Sequence, residues 1–458
     1  MRRTHLLSGL VLLLSIALIS IATASAQQPT VQKTPFAFTE VDVSLLEQVE
    51  LLDQKFQKDG LVYNDPALEE YLNQVGNSVL PEGGPPERVQ WRFRSLRDPM
   101  ANAFALPNGS IYVNTGLLAL LESEEQLASV LAHEVVHVLN RHSYLSFRSY
   151  RKKMVAINIL QAVGRGAQGA GGAWGWTLGT IGSIVPSVLA ATISGYSREL
   201  EKEADLYAVN KLLEGGYDAG EMVSVFKLLQ REQDVNLETI FYSDHPKLEE
   251  RVGYVNAAIQ AKAMPAKSPS GSLGERRNFF VPATENVSRQ DVSLAISANR
   301  PRTALAHAQK LVNNSPDSSE NFYLLAETYR ALGPRTAEPT SEELSSKGKK
   351  EARKLVANFT PEEQEKKLLS KPAGQAAWQE NQRKAEESYK KALELDSTNA
   401  KAHRGLGFLF EEARKDAEAV AEYRRYLEQF PDAPDRERIQ RRIDSVEKTL
   451  RPSSEKPR

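Results

Sequence analysis

The run His133-Glu134-Val135-Val136-His137 constrains this chain most, because it places two histidines and a glutamate within one predicted helical turn or so. Residues four apart on a helix lie above one another on the same face. Two imidazoles in that arrangement can bind one Zn²⁺, and the glutamate between them then lies beside the metal as a general base. The run therefore predicts a zinc site on one helix face, with Glu134 as a catalytic residue.

The residues around this run also favour a helix. Ser123, followed three residues later by Gln126, is typical of a capping box at a helix N-terminus. At about 100° per residue, the apolar side chains form one stripe: Ala128, Leu131, Val135, Val138 and Leu139. The histidines fall roughly opposite this stripe. An amphipathic helix produces the same short run by chance, so a third ligand has to decide between the two interpretations.

A second predicted helix, for which Ser197 is a plausible N-cap, supplies candidate carboxylates. Catalytic zinc commonly keeps three protein ligands, and two histidines with one glutamate form an established set. Glu201 and Asp205 are four residues apart and share one helix face. Glu203 points nearly the opposite way, and Glu199 suits the helix dipole in the first turn. We therefore predict Glu201 as the third ligand and Asp205 as the acceptor that orients a ligand histidine.

His142 is a further histidine close to the zinc run, five residues after His137. The longer metzincin motif requires a histidine six residues after the second one, and Ser143 stands there. That motif is excluded, and we interpret His142 as a structural or surface histidine rather than a ligand.

Three further elements accompany the zinc run. It is preceded by residues 102–118 and followed by S-R-x-x-E-x-x-A-D at residues 197–205 and H-P-x-x-x-x-R at residues 245–251. In this order, the motifs resemble the membrane-linked zinc metallopeptidases typified by HtpX and the CAAX-processing proteases. The resemblance extends over roughly residues 40–260. It implies a gluzincin-type metallopeptidase domain that binds one Zn²⁺ per chain.

The stretch before the zinc helix has the pattern of a β-hairpin. Pro-Asn-Gly at residues 107–109 is a turn signal between two short segments rich in aromatic and β-branched residues. In peptidases of the resembled family, an edge strand near the zinc pairs with extended substrate. The resemblance thus assigns Asn102, Ala103 and Phe104 to a substrate-binding strand.

His245 and Arg251 belong to the third element. In family members with this architecture, a histidine at this place can occupy the fourth zinc position and hold the enzyme latent. By resemblance, His245 is such a latch or stabilises the oxyanion during turnover, and Arg251 lies near the same site. A loop histidine with a structural role beside Pro246 is the alternative.

Composition and the N-terminus indicate the compartment. The 458 residues suffice for two or three domains, and a net charge of −1 gives no electrostatic case for nucleic-acid binding. Residues 1–26 resemble a secretory signal, with Arg2-Arg3, an apolar run and an A-x-A cleavage site that ends at Ala26. An uncleaved membrane anchor is the alternative. The absence of cysteine excludes disulfides and a lipoprotein anchor, and is compatible with a bacterial periplasm.

The stretch 166–197 carries no charged residue and is rich in glycine. In integral-membrane relatives of the resembled family, the corresponding region holds transmembrane helices. The sequence leaves a membrane-surface element, a lid over the active site or a buried helix pair open. We favour a lid or an interfacial element with peripheral membrane contact over a true span, because the glycine density and Pro186 weaken a spanning helix.

The C-terminal third repeats with a period of 34 residues, which separates Tyr389 from Tyr423. This period is typical of tetratricopeptide repeats, which bind polypeptides on a concave surface. The predicted segments are a linker at 263–287, a repeat domain at 288–449 with an insertion at 334–377, and a disordered tail at 450–458. The predicted helix pairs are 288–298 with 301–313, 318–332 with 378–395, and 403–413 with 416–430. The insertion is predicted as an extra helix or a mobile loop.

Taken together, these features predict a mainly α fold with a small β element, in which a gluzincin-type metallopeptidase domain precedes an α-solenoid of tetratricopeptide-like helix pairs. The exported proteases of the BepA-like branch share this order of domains. That resemblance implies a periplasmic zinc metalloendopeptidase that cleaves misfolded or stalled outer-membrane proteins and docks an outer-membrane assembly machine through its repeats. The alternative is a chaperone-like assembly factor that acts mainly by binding polypeptides.

Overall fold

Helices make up most of the chain, and three short strands form a small sheet. The predicted class, mainly α with a small β element, is therefore confirmed. The computed structural model describes residues 37–146, 148–149, 196–235, 248–262 and 273–450, the last range with short gaps between 338 and 357.

The first part of the chain carries the predicted zinc site. The chain divides into a small unit that ends at Ser44 and a large unit that begins at Leu45, and the contacts described below lie within the large unit. The elements are α1 (Glu40–Lys58), α2 (Pro66–Ser78), β1 (Arg92–Leu96), β2 (Ala103–Ala105), β3 (Ser110–Asn114), α3 (Thr115–Leu120), α4 (Glu124–Leu139), α5 (Arg198–Glu214), α6 (Gly220–Val235) and α7 (Leu248–Ala261).

The predicted hairpin before the zinc helix is confirmed. Strand β3 pairs in parallel with β1 and antiparallel with β2, in the order β1-β3-β2. Between β2 and β3 the chain reverses at Gly109, whose φ is +94°. A Cβ atom there would lie 2.5 Å from the carbonyl oxygen of Gln90, so only glycine fits this turn. Because the strand order is β1-β3-β2, strand β2 forms one edge of the sheet.

A buried carboxylate on α1 holds this hairpin in place. Asp53 accepts hydrogen bonds from Asn108 (2.9 Å), from Ser110 (2.6 Å) and from the Tyr112 hydroxyl (2.7 Å). Arg92 of β1 adds an ion pair at 3.3 Å. Because Asp53 is only 4% exposed, these four donors satisfy a charge that would otherwise be costly to bury.

Helix α4 packs its apolar stripe into the first hydrophobic core. The hydroxyl oxygen of Ser123 accepts from the Gln126 amide, as predicted, whereas the Gln126 side chain reaches the amide of Glu122 instead of the N-cap. Leu131 and Val135 are completely buried, and each such side chain contributes about 1.5–3 kcal/mol. The opposite face of α4 is thereby held toward helices α5 and α6.

The C-terminal part of the chain is helical and has its own hydrophobic core. We call helices α9 to α16 the C-terminal module. Its helices are α9 (Pro301–Asn314), α10 (Ser319–Leu332), α11 (Ser341–Leu344), α12 (Pro361–Leu369), α13 (Pro372–Leu395), α14 (Ala400–Glu412), α15 (Asp416–Gln429) and α16 (Arg436–Leu450).

Five helices of the module, α9, α10, α13, α14 and α15, match predicted helices to within a few residues, apart from α13, which begins six residues earlier. Helix α16 belongs to none of the predicted pairs, and the predicted helix 288–298 is the end of a longer helix described below. Tyr389 and Tyr423, the residues that revealed the period, are fully buried. Their rings pack on Gly405 and Gly407, where a Cβ atom would come within 2.3–2.4 Å of the ring. The insertion contributes extra helices, α11 and α12, which was one of its two predicted forms. Assignment to a tetratricopeptide solenoid stays a prediction.

The predicted linker 263–287 requires correction. From Leu273 onward, the chain forms a single helix, α8 (Leu273–Ser297), which runs through most of that segment. Phe280 and Val287 of α8 are buried in the first core, whereas Val292 and Ala295 are buried in the second. Polar and glycine-rich residues near residue 270 suggested a break, but the apolar residues that follow bury themselves in both cores. Helix α8 is therefore shared between the two parts.

Several predicted segments lie outside the described residues. These are the signal peptide 1–26, the uncharged stretch up to residue 195 and the tail beyond Leu450. None of the helices in the described ranges combines the length and the apolar content needed to cross a bilayer.

Candidate metal centre

Helix α4 presents two histidines to a cleft. His133 and His137 lie one turn apart, with their Nε2 atoms 3.0 Å from each other. The side chain of His137 is 1% exposed and that of His133 is 12% exposed. Two ring nitrogens at this distance cannot both carry a proton. Where neither carries one, both lone pairs are available to bind the same cation.

Helix α5 adds the predicted carboxylate. Glu201 is 1% exposed, with its oxygens 3.7 Å from Nε2 of His133 and 3.8 Å from Nε2 of His137. All three ligand atoms lie within 4.8 Å of one another. Ser197 occupies the N-cap of this helix as predicted, although its side chain makes no capping hydrogen bond.

These three donors fit zinc in kind and in spacing. A tetrahedral ion with ligands at about 2.0–2.1 Å requires its donors to be about 3.3–3.4 Å apart. The two histidine nitrogens lie 3.0 Å apart, and one oxygen of Glu201 lies 3.7 Å from His133 while the other lies 3.8 Å from His137, so all three residues are within reach of one ion. Two imidazoles and one carboxylate are also an established donor set for catalytic zinc. The residues present are therefore suited to hold such an ion.

A buried carboxylate orients His133. Asp205 lies 2.8 Å from Nδ1 of His133, and Arg251 donates two hydrogen bonds to the same carboxylate at 2.9 and 2.7 Å. Burial alone raises the pKa of Asp205, but Arg251 and His133 outweigh it and lower that pKa to about 2. Arg251 also lies 3.4 Å from Glu201, so one guanidinium contacts both carboxylates. Asp205 is thus ionised and directs Nε2 of His133 toward the cleft.

A different pair of side chains contacts His137. Its Nδ1 lies 2.8 Å from Nδ1 of His142, and its ring stacks on Tyr196 with the ring centroids 3.8 Å apart. His142 is 1% exposed, which supports a structural role over a surface one. Its other nitrogen lies 3.6 Å from a carboxylate oxygen of Glu203. Burial, followed by the neighbouring histidines, lowers the pKa of His137 well below its usual value.

Glu134 lies in the same cleft and is 8% exposed. Burial raises the pKa of its carboxyl to about 7, although the backbone N–H of Ala105 donates a hydrogen bond that favours the carboxylate. A carboxyl with a pKa near neutrality can both accept and release a proton, which is what a general acid–base group requires.

Strand β2 presents backbone groups beside Glu134. Asn102 and Leu106, on either side of the strand, are hydrogen-bonded to β3. Because bonded pairs alternate along an antiparallel ladder, the backbone groups of Ala103 and Ala105 point away from β3. Ala103 lines the cleft, so its N–H and C=O are placed for pairing with an extended chain.

The cleft encloses about 750 Å³, including space open to solvent. One wall is apolar and comes from α6: Met222, Val225, Phe226 and Leu229. The sequence did not predict this wall, since an amphipathic helix does not disclose which partner its apolar face meets. Nor did it predict Tyr196, which stands at the end of the uncharged stretch without a motif of its own.

The structure brings nine of the ten predicted site residues together around this cleft: Asn102, Ala103, Phe104, His133, Glu134, His137, Glu201, Asp205 and Arg251. The tenth, His245, lies outside the described residues. Glu199 and Glu203, which were not predicted as ligands, are exposed on α5. Glu203 nevertheless accepts a hydrogen bond from Asn140 at 2.7 Å.

Several known proteins are similar to a part of this chain. A Vibrio cholerae protein, named provisionally as a beta-barrel assembly-enhancing protease, is 30% identical over 37% of this chain and 34% of its own length. The Mitochondrial metalloendopeptidase OMA1 of Schizosaccharomyces pombe is 25% identical over 46% of this chain and 60% of its own length. The Beta-barrel assembly-enhancing protease of Escherichia coli K12 is 25% identical over 45% and 42%, respectively.

The similarity therefore covers less than two thirds of each of these relatives. In a separate comparison, residues 66–259 match peptidase family M48. That segment contains the hairpin, the zinc run, Glu201, Asp205 and Arg251. Over residues 66–259, this chain is therefore similar to peptidase family M48.

Proposed function

We propose that this chain is a zinc-dependent metalloendopeptidase of the bacterial periplasm that cleaves misfolded or stalled envelope proteins. One observation carries the proposal: three zinc-type donors, a buried glutamate and an edge strand converge on a single cleft. The match to peptidase family M48 supports the same activity.

In this proposal, His133, His137 and Glu201 hold the zinc ion. When bound, the ion supplies a Lewis acid that polarises the scissile carbonyl. Glu134 accepts a proton from the attacking water and passes it to the leaving amine. Asp205 keeps His133 in the tautomer whose Nε2 is free to bind metal.

The substrate in this proposal is an extended polypeptide that adds a strand next to β2. The outward N–H and C=O of Ala103 bond its backbone, which requires no particular sequence. The apolar wall of α6 contacts its side chains, and so favours segments that a folded protein would bury. An unfolded membrane-barrel protein offers such segments, and two of the relatives described above are named for beta-barrel assembly.

Activity is tested by comparing the wild type with Glu134→Gln on unfolded β-casein, with zinc content measured in parallel. Glu214→Gln, at the exposed end of the same helix as Glu201, is the control. We expect Glu134→Gln to keep its zinc and lose hydrolysis, and Glu214→Gln to retain both. Wild-type rates of cleavage by Glu134→Gln would contradict the proposed mechanism.

Latency at rest is a further part of the proposal, based on the family resemblance of His245. Replacement of His245 by alanine should raise β-casein hydrolysis if this residue closes the site, and should lower it if it stabilises the oxyanion. Unchanged activity would remove both roles.

A chaperone-like assembly factor is the second candidate function. The helix pairs of the C-terminal module, with their period of 34 residues, support it, because such repeats present polypeptide-binding surfaces. The Glu134→Gln variant distinguishes the two functions. If it still prevents aggregation of an unfolded barrel protein, binding through the module is an activity separate from hydrolysis.

A further inference from the structure

Through the N-terminus of α9, the C-terminal module contacts two elements that form the substrate cleft. Arg300, at the N-cap of that helix, donates a hydrogen bond to the carbonyl oxygen of Pro99 at 2.5 Å and contacts Sδ of Met100 at 3.2 Å. Its other terminal nitrogen donates to Glu232 at 3.0 Å. Thr303, one turn further along, donates to the same carboxylate oxygen at 2.8 Å.

The first contact of Arg300 is with the loop that leads into the edge strand. Pro99 and Met100 lie between β1 and β2, three to four residues before Ala103. This loop is packed tightly on α3, since a Cβ atom at Gly116 would lie 2.4 Å from the Pro99 carbonyl oxygen. The amide of Asn102 donates back to Met100 at 2.8 Å, which makes the loop a compact turn. A shift of Pro99 therefore moves the substrate strand with it.

The second contact of Arg300 is with the apolar wall of the cleft. Glu232 stands near the C-terminus of α6, three residues after Leu229, which lines the cleft. On a helix, residues three apart lie on the same side, so Glu232 marks the end of the cleft-lining face. The Arg300 and Glu232 side chains are 11% and 9% exposed, so their ion pair is shielded from solvent.

We infer that Arg300 is a positioning residue that sets the width of the substrate cleft by tying the edge strand to α6. One guanidinium joins the loop that precedes β2 to the end of α6, with one terminal nitrogen on each. The C-terminal module thereby takes part in substrate binding at the peptidase site, in addition to any binding on its own surface. This inference rests on the proposed peptidase function.

Other contacts hold α8 and α9 against the peptidase, so Arg300 acts from a fixed support. The buried carboxylate of Asp291 on α8 bridges Thr115 (2.7 Å) and His307 (2.9 Å). Lys310 donates to the carbonyl oxygens of Ala119 (2.7 Å) and Leu121 at the C-terminal end of α3, where a cation is favourable. These contacts fix the module to α3 but touch neither β2 nor α6.

The test compares Arg300→Ala with a matched variant, Arg302→Ala. Arg302 lies on the same helix and is similarly buried, but it bonds Thr336 and Glu343 inside the module. Both variants remove a buried arginine from α9, and only the first removes a contact with the cleft. Arg300→Lys is the conservative variant, because it keeps the positive charge. Its single ammonium group cannot reproduce the two-sided fork of the guanidinium.

Steady-state hydrolysis of unfolded β-casein is measured for each variant, together with zinc content and melting temperature. We expect Arg300→Ala to raise KM about tenfold with little change in kcat, because cleft width affects substrate and transition state alike. Arg300→Lys should fall between Arg300→Ala and wild type, and Arg302→Ala should keep the wild-type KM. Zinc content should not change in any of them.

Binding of fluorescein-labelled β-casein in the Glu134→Gln background gives a second measurement that requires no turnover. There, Arg300→Ala should weaken binding about tenfold relative to Arg302→Ala. Equal KM and equal binding for the two alanine variants would overturn the inference while leaving the peptidase proposal intact. Absence of hydrolysis in both the zinc-loaded wild type and the zinc-loaded His245→Ala variant would instead count against the proposed function.

Discussion

The two hydrophobic cores bury polar groups in different ways. In the C-terminal module, two examples form small sets of contacts: His403 pairs with Glu422 at 2.5 Å, and Asn381 donates to two backbone carbonyls at 2.8 Å. In the peptidase core, Asp205 and Arg251 belong to a chain of contacts that ends at the ligand atoms in the cleft. Local pairs specify which helices are neighbours, whereas the chained network keeps donors pointed at one place. The polar contacts of the module therefore support its fold, whereas those of the peptidase core also position the ligand atoms.

Zinc removal is the largest expected perturbation, and it should affect only the peptidase core. Chelation should abolish β-casein hydrolysis and lower the melting temperature, because a ligand that binds only the folded state stabilises it by mass action. Added zinc should restore both. His133→Ala should already melt at the lower temperature and should not respond to chelator. A wild type whose melting temperature ignores chelation would contradict a metal-dependent core.

Removal of one carboxylate from each core compares how strongly the stability of each core depends on its polar contacts. Asp205→Asn removes the shorter ion pair of the buried Arg251 and leaves its contact with Glu201 at 3.4 Å, which should cost about 3 kcal/mol, the lower end for a broken buried pair. Glu422→Gln in the module breaks a pair that is more accessible to water, and should cost about 1 kcal/mol. Urea unfolding of both variants measures the difference. Equal losses would mean that the peptidase network is no more interdependent than a local pair.

The contact between His142 and His137 predicts an effect on zinc rather than on folding. His142→Asn should weaken zinc affinity about tenfold, the lower end of the effect seen when an outer partner of a ligand histidine is lost. Competition with a chelating dye measures the affinity. Glu203→Gln, which alters a contact at 3.6 Å to the same histidine, should have a smaller effect. Unchanged zinc affinity in His142→Asn would show that the contact with His142 does not orient His137.

Two glycines predict stability effects of opposite sign. Gly405→Ala in the module forces a Cβ atom to 2.3 Å from the Tyr389 ring, so overpacking should cost about 1–3 kcal/mol. Gly253→Ala on α7 meets no atom within 4 Å and should stabilise by about 0.5–1 kcal/mol through helix propensity. Thermal melting measures both variants. A destabilised Gly253→Ala would indicate that α7 is strained near Arg251.

The sequence predicted what depends on short-range periodicity. The spacing of His133 and His137, and the helical phase that separates Glu201 from Glu203, follow from 3.6 residues per turn. The hairpin followed from Pro-Asn-Gly, and the helices of the module followed from a period of 34 residues. In each case, a regular spacing or a short turn motif in the sequence indicates the structure.

Features that depend on distant packing were not predictable in this way. The polar segment near residue 270 suggested a linker, and nothing local revealed that Phe280 and Val292 bury in two different cores. Arg300 and Glu232 are 68 residues apart, and neither lies in a motif. Tyr196 is placed against His137 by the fold alone. These contacts join residues that are distant in sequence, so the residue pattern of a single helix does not reveal them.

The zinc ligands are tested most directly by X-ray absorption spectroscopy at the zinc edge of the metal-loaded protein. The predicted wild-type spectrum contains two imidazole nitrogens and one protein carboxylate oxygen. His133→Ala should lose one imidazole contribution, and Glu201→Gln should lose the carboxylate. Spectra that stay the same in both variants would contradict the central claim that His133, His137 and Glu201 together hold the metal.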